Sequence, residues 1–527
     1  MLSPYPKMSY AMQNVAIPEA YSSSICVLGQ SNILQGFFSG LETKTINDIN
    51  ALFGENQEIT RKLRVVLQEL AKQTTVPKVY AYSVIDPSAG TAAVATITIT
   101  ATAQPTQTLT GYFATSSDAN SGFFSLDILR SDTADNIATK LGAALNGLTH
   151  LGITATVATN VVTITAGNSG ATGNDLFENI IINEGVGVSF ALSVTAGSGQ
   201  PDFSELFSIS EFLGTKIDYF VTSESYANAN NTLKIALFTR SENLVNNKDL
   251  SGNMIYGTSF NPASIPVLTT DTGGKNTVVV GNKKLSSVAA LASNFIFALN
   301  DELATLIAIE EAIKLTINCN TVPYLINQTS GKPANCAIPV ANTRLASIRT
   351  FFPLQSYTSP QITNCENNRY TIITILDNGT PIIGNAFTLS SEPQYSGYEN
   401  RQQFFFCRYY FATRLQIFVQ QKTWASGEVV NSNQINADSY SAECELRYNV
   451  LTGLEVATSD FDYWAGIVDS GIANFKVFRE VLNKTLKFTA VVTGGRPVGT
   501  ISHSLFLTAS MQIKNLVITQ QNNLISA

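Results

Sequence analysis

The feature that most constrains this chain is a change of hydrophobic period in its first half. Around Ser24 to Gly29 and Val79 to Val84 the sequence has short, continuously apolar runs, separated from Ile59 onward by Leu63, Val66, Leu67 and Leu70 at helical spacing. Strand, helix, strand in that order predicts a parallel crossover unit of an α/β sheet. From Gly90 to Gly199 the period drops to two: Ala95, Ile97, Ile99 and Ala101 alternate with Thr96, Thr98, Thr100 and Thr102. Strict alternation is the mark of a half-buried antiparallel strand. After Ile217 the α/β rhythm returns, so one fold class interrupts another.

Inside the interruption the spacing predicts a strand over Phe123 to Leu129. A helix follows from near Asp132, with Ile137, Leu141, Ala144, Leu145 and Leu148 on one face. Ile153, Ala155 and Val157 then face Val162 and Ile164 across a Thr159-Asn160 turn, and Val188, Phe190, Leu192 and Val194 form a last alternating strand. The flanks are expected to join once this module is removed, so its deletion is expected to spare the rest. Beyond it, strands are expected at Ile217 to Thr222, Asn253 to Gly257 and Thr277 to Gly281, with a helix over Asn230 to Ser241. A long helical stretch is expected from Val288 through Leu291, Phe295 and Leu299 to Ile313.

The last third reads as α+β. Arg369 to Leu376 and Ile382 to Leu389 flank an Asp377-Asn378-Gly379-Thr380-Pro381 turn, an expected hairpin. Phe404 to Phe418, Asn433 to Leu454 and Ile472 to Val481 are helical candidates. Two closing strands, Leu486 to Thr493 and Ser504 to Ile518, are joined through Gly494 to Gly499. The expected architecture is α/β with a β-rich insertion. Its parts are an extended arm (1–23), a discontinuous α/β domain (24–88 and 202–355), the insertion (89–201), an α+β C-terminal domain (356–502) and a C-terminal strand and arm (503–527).

Composition bears on what such a chain can bind. Only 13% of its 527 residues are charged, against about a quarter in ordinary globular chains, so Asn, Thr, Ser and Gln dominate the expected surface. A net charge of −7 offers no basic stripe, and nucleic acid is not an expected partner. No apolar run reaches the roughly 18 residues a membrane span requires, and Met1 to Gln30 lacks a basic region followed by an apolar core. A soluble protein made in the cytoplasm, with no direct membrane insertion, is the expectation. Cys26, Cys319, Cys336, Cys365, Cys407 and Cys444 contain no Cys-x-x-Cys pair, so buried thiols are expected rather than a metal or redox site.

Candidate chemistry is sparse. The only histidines are His150 and His503, too few and too scattered for acid-base or nucleophilic work. Thr270 to Thr277 contains a Gly274-Lys275 pair, but a phosphate loop needs Gly at 269 and Ser or Thr at 276, where Thr269 and Asn276 stand. Asp377-Asn378-Gly379 and Gly173-Asn174-Asp175 lack the acidic ladder of a calcium loop. Glu302, Glu310 and Glu311 read as a solvated helix face. No enzyme activity, cofactor or metal is expected. The termini are more informative. Met8, Tyr10, Met12, Val15 and Ile17 make the N-terminal arm apolar enough to dock. In the C-terminal strand Leu505, Leu507, Met511 and Ile513, continuing through Leu516 and Ile518, present an apolar edge that wants a partner.

Several segments together resemble a known family. Asn47-Asp48-Ile49-Asn50-Ala51-Leu52-Phe53-Gly54, a helix, Val79-Tyr80-Ala81-Tyr82, Asp86 and the entry into Thr96-Ile97-Thr98 look like the N-terminal half of Mu-type contractile phage tail sheath proteins. Asp132-Thr133-Ala134-Asp135-Asn136-Ile137-Ala138, the strands at Ile153 and Val162, and Gly170-Ala171-Thr172-Gly173-Asn174-Asp175 are similar to that family's β module. The resemblance covers about residues 24 to 180. It implies a virion structural subunit, assembled in the host cytoplasm, that stacks helically on itself around a tail tube protein and contracts during viral genome ejection. It further implies baseplate and tail terminator proteins as partners, a C-terminal domain facing the tube, a peripheral insertion and terminal arms that add strands to neighbouring subunits. A surface-layer or adhesin-like structural protein is the alternative that the Thr- and Asn-rich β segment suggests.

Overall fold

The computed structural model describes residues 24–223, apart from short breaks at 74–75, 114–118, 178–179 and within 210–216. Beyond 223 it describes only short strands and scattered positions, among them those named below. The chain opens with β1 (Ser24–Gln30), buried along its whole length, and a short β2 (Gly36–Phe38). Helix α1 (Ile46–Phe53) starts at a capping box: the Asp48 amide donates to Thr45 Oγ1 at 3.2 Å while the Thr45 amide donates to Asp48 Oδ2 at 2.8 Å. Helix α2 (Glu58–Leu70) and β3 (Lys78–Val84) complete the first crossover, with β1 and β3 parallel over seven residue pairs.

The sheet continues with β11 (Tyr219–Ser223), β12 (Asn253–Thr258), β13 (Ser287–Leu291), β14 (Tyr370–Ile375) and β15 (Pro381–Ile383), numbered after the strands of the insertion. Eight strands lie in the order β15-β14-β13-β12-β11-β1-β3-β2. The six inner strands are parallel and the outermost on each side is antiparallel. With its inner strands running b-a-c-d-e-f in chain order, this is a doubly wound sheet whose direction of growth reverses beside β1. Its core joins Ile25, Val27, Leu63, Val66, Val79, Ala81 and Val221 to Leu306, Ile309, Ala312 and Ile313.

Two expectations fail in this sheet. Val288 to Leu291 is strand β13, not the start of a helix: it pairs with β12 along one edge and β14 along the other, and a short continuous apolar run in a parallel sheet cannot be told from a helix segment by its period. Glu310 is completely buried, not solvated. It lies four residues after Leu306 and three before Ile313, on the apolar stripe of its helix.

The insertion is built from β4 (Ala92–Ala101), β5 (Gln107–Phe113), β6 (Phe123–Ile128), α3 (Ala134–Asn146), β7 (Ile153–Ala158), β8 (Val161–Ser169), a short α4 (Asn174–Phe177), β9 (Ile180–Ile182) and β10 (Val188–Thr195). β10-β4-β8-β7 form one antiparallel sheet and β6-β5-β9 a second, and α3 packs on strands of both. The alternation read in the sequence is realised in β4, where Ala93, Ala95, Ile97 and Ile99 are fully buried and share a core with Ile137, Leu141, Leu145, Val162 and Ile164. Thr133 caps α3 through the Asn136 amide, and the β7-β8 turn places Thr159 at a φ of +52°.

Further on, β16 (Thr423–Trp424) pairs with β17 (Gln434–Ile435), and β18 (Lys487–Val491) pairs antiparallel with β19 (Thr500–Ser504). The second closing strand therefore begins four residues earlier than expected. β20 (Leu507–Thr508) pairs with β21 (Gln521–Asn522). The expected helix over Asn230 to Ser241, strand over Thr277 to Gly281 and helix over Ile472 to Val481 lie outside the described residues.

Candidate functional site at the carboxyl ends of the central strands

An open, doubly wound sheet takes its ligands beyond the carboxyl ends of its strands, where the strand order reverses, and an anion there rests on a helix N-terminus. In this chain the order reverses between β1 and β11, and the described side of that place is the end of β1 at Gln30, the start of α2 at Glu58 and the neighbouring segment after β3 around Asp86. That side is covered by the insertion. The Glu58 amide at the α2 N-terminus donates to Asn168 Oδ1 at 3.0 Å, and Asn168 Nδ2 donates to Gln57 Oε1 and to Asp86 Oδ1, each at 2.9 Å. Asn168, at the end of β8, thus occupies the position an anionic ligand would take.

Asp86 gathers donors from three directions. Its carboxylate accepts from Gln30 Nε2 at 3.2 Å, from Asn32 Nδ2 at 2.9 Å, from Asn168 and from the Ser169 amide. Gln30, fully buried, also donates to the Ser169 carbonyl at 3.1 Å and accepts from the Thr172 hydroxyl. Glu58 closes the floor: its carboxylate accepts the Gln30 amide at 3.0 Å and pairs with Lys62 Nζ at 2.7 Å, and Lys62 donates to the Leu28 carbonyl at 2.9 Å. A carboxylate at a helix N-terminus satisfies the helix dipole from within. Any incoming phosphate would have to displace Asn168 and face Glu58.

The remaining polar face of α2 is sealed by the loop between α3 and β7. Arg61 Nη1 donates to the Leu151 carbonyl at 3.0 Å, and Arg64 Nη1 to the His150 carbonyl at 2.8 Å; Arg64 Nη2 reaches Asn50 Oδ1 and the Glu55 carbonyl. Burial pulls the Arg64 guanidinium below its ordinary value, partly offset by Glu55 and reinforced by Arg61. Asn120 Nδ2 donates to the Arg61 carbonyl at 2.9 Å. Gly152 sits at φ +69° against this loop, and a Cβ there would stand 2.2 Å from the Asn56 carbonyl oxygen. No larger residue fits.

On the return path, Phe203 lies against Tyr82, and Phe212 lies beside Phe37 and Phe220 with Phe207 packed on it, an aromatic cluster on the sheet. Burial, with Glu205 and Asp202 nearby, pushes the Tyr82 phenol up to about 12. At the opposite end of the sheet, the Ser24 amide donates to Asp218 Oδ2 at 2.9 Å, tying the first residue of β1 to the root of β11.

Among the described residues no three His, Cys, Asp or Glu side chains stand together as a metal site. His150, considered for acid-base work, places its Nε2 2.7 Å from the Ser121 carbonyl. Cys26 is buried in β1. The candidate docking residues Met8, Tyr10, Met12, Val15, Ile17, Leu505, Met511, Ile513, Leu516 and Ile518 lie outside the described residues, and Leu507 pairs with Asn522 of the same chain. The polar residues at the α2 N-terminus were not legible as a site. Their one signal is the density of charge in Glu58, Arg61, Lys62 and Arg64, ordinarily the mark of an exposed face.

No family model and no curated protein matches the chain in sequence. Among solved structures, the chain is similar to the sheath tail protein of Desulfitobacterium hafniense, with a TM-score of 0.42 and 11% identity over 97% of this chain and 99% of that one. It is also similar to a chain of the anti-feeding prophage baseplate, with a TM-score of 0.41 and 10% identity over 97% and 96% of the two chains.

Proposed function

We propose that this chain is a structural subunit of the contractile tail sheath of a bacteriophage and not an enzyme. The observation that supports the non-catalytic half of the reading is the occupation of the α2 N-terminus beside the switch point: Asn168 caps α2, Glu58 neutralises its N-terminus, and Asp86 is held by donors from β1 and β8. The sheath half rests on the sequence segments that resemble that family. In the fold, the Asn47 to Gly54 run forms α1 and its C-cap, and Asp132 to Ala138 forms the start of α3. Gly170 to Asp175 forms the turn that presents Thr172 to Gln30.

In this reading, subunits associate head to tail in an open helix around the tail tube, because heterologous contacts that do not close generate filaments. The terminal arms add strands to neighbouring sheets, where main-chain hydrogen bonds persist while subunits rotate. The extended array is metastable, and contraction is driven by tighter association between subunits, with no nucleotide or cofactor involved. The assembly forms in the host cytoplasm and works in the virion, in contact with tube, baseplate and terminator proteins. Deleting residues 8–17 or 505–518 is expected to leave a folded subunit that does not polymerise.

Negative-stain electron microscopy of the purified protein, alone and with tail tube protein added, tests the reading. Hollow striated cylinders in either sample are the expected result. Uniform monomers or closed rings in both samples would sink it.

A further inference from the structure

We infer that the junction between the insertion and the α/β half is a fixed coupling and not a hinge, although its composition is that of a flexible linker. Gly90, Gly170, Gly197 and Gly199 meet where the chain enters and leaves the insertion. Such glycines ordinarily mark freedom of movement. Here they mark close approach: a Cβ at Gly197 would stand 2.6 Å from the Gly170 carbonyl oxygen and 2.7 Å from that of Thr91, and one at Gly199 would stand 2.9 Å from Pro87 Cγ. The absent side chains let three backbone segments touch.

Those segments are laced together. The Thr91 amide donates to the Ser198 carbonyl at 3.0 Å and the Ser198 amide returns to the Thr91 carbonyl at 3.1 Å. Gly170 N–H donates to the same Thr91 carbonyl, and Ala171 N–H donates to Gly199. Asn174 adds a fourth tie, accepting the Gly197 amide at its Oδ1 at 2.6 Å. Beside this neck stand the buried bonds of Asn168, Asp86, Gln30 and Thr172, and on the far side of α2 the two arginines bonded to the 150–151 carbonyls. Turning the insertion about the neck would break the two lateral sets together and leave buried donors unpaired, a cost that falls on every group at once. Large rearrangements of the protein therefore pivot at other junctions. This inference stands whether or not the chain assembles as proposed.

Native-state hydrogen exchange of the full-length protein, read by mass spectrometry, tests the coupling. A hinge would open locally and expose the amides of Gln30, Glu58, Thr91, Gly170, Ala171 and Ser198 while β1 and β4 stayed protected. The fixed coupling predicts that these amides exchange on the same timescale as β1 and β4. Replacing Asn168→Ala is expected to speed exchange at Glu58 and Ser169 by roughly ten- to hundredfold, the factor that one or two lost buried hydrogen bonds correspond to. If that variant fails to fold, Thr172→Val, which removes only the bond to Gln30, gives the milder version of the same shift. Rapid exchange of the junction amides in the unaltered protein, or no response to either substitution, would overturn the inference.

Discussion

Helices α2 and α3 are both 13 residues long and both show an apolar stripe in the sequence, yet the fold treats them differently. α3 buries the stripe, Ile137, Ala138, Leu141, Gly142 and Leu145, and leaves Asp135 and Asn136 in solvent. α2 buries every residue but Gln68 to the same standard, including Glu58, Arg61, Lys62, Arg64 and Glu69. The stripe of α2 meets the α/β core; on its charged face Glu58 and Lys62 bond to the end of β1, while Arg61 and Arg64 meet the insertion. A charged helical face is exposed only until something covers it, and here much of the cover comes from residues 120, 150, 151 and 168, between 59 and 110 positions downstream in the chain. The difference between the helices is therefore a record of what the insertion does.

The largest test of this contrast is Glu58→Ala. It leaves Lys62, 1% exposed, without the carboxylate 2.7 Å away. Stripping one partner from a buried ion pair costs about 3–5 kcal/mol, a loss expected in the urea midpoint. A change below about 1 kcal/mol, typical of an exposed pair, would show that the α2 face is wet. Gly152→Ala ranks next: a positive φ and a close approach to Asn56 combine to predict a loss of about 3 kcal/mol, measured in the same way. Thr133→Ala at the start of α3 removes one exposed cap and is expected to cost about 1 kcal/mol.

The smallest effect concerns acid. Asp132, before α3, is held below the usual carboxylate range, first by the Lys140 ammonium hydrogen-bonded to it and then by the Leu129 amide. Its contribution is present above the ordinary value of about 3.9 and lost as pH falls through the lowered folded value. The acid limb of the melting curve below pH of about 4 is expected to flatten slightly in Asp132→Asn. An unchanged limb would remove Asp132 from the account of α3.

What could be read from the sequence follows the same contrast. β4, β6, β8 and α3 were legible because one face of each is solvated, and alternation or helical spacing then reports the buried face directly. β7 and β10 were legible as strands but not in their burial, since Val157, Leu192 and Val194 are exposed, and β5 and β9 were not read. The parallel crossover of β1, α2 and β3 was legible from its short apolar runs. Where an apolar run is continuous its period no longer separates strand from helix, as in β13, read as helix, and a charge on an apolar stripe misleads, as in Glu310, read as solvated and completely buried. The crevice was illegible for a different reason. Asn168, Gln30 and Asp86 are ordinary polar residues until the insertion is placed, and their meaning lies in partners 28 to 142 positions away. Gly90 and Gly199 were visible as punctuation, but whether a glycine gives freedom or close contact depends on what is packed against it.

The central claim is that the insertion completes the α/β half rather than decorating it, contrary to the expectation that its removal would spare the remainder. The most direct measurement is urea unfolding of a variant in which residues 90–199 are replaced by a short Gly-Ser loop. With Arg61 and Arg64 stripped of their carbonyls and the α2 N-terminus uncapped, the account predicts no cooperative transition from the α/β half. A sharp transition with a midpoint near that of the full chain would contradict it and return the insertion to the status of an appendage.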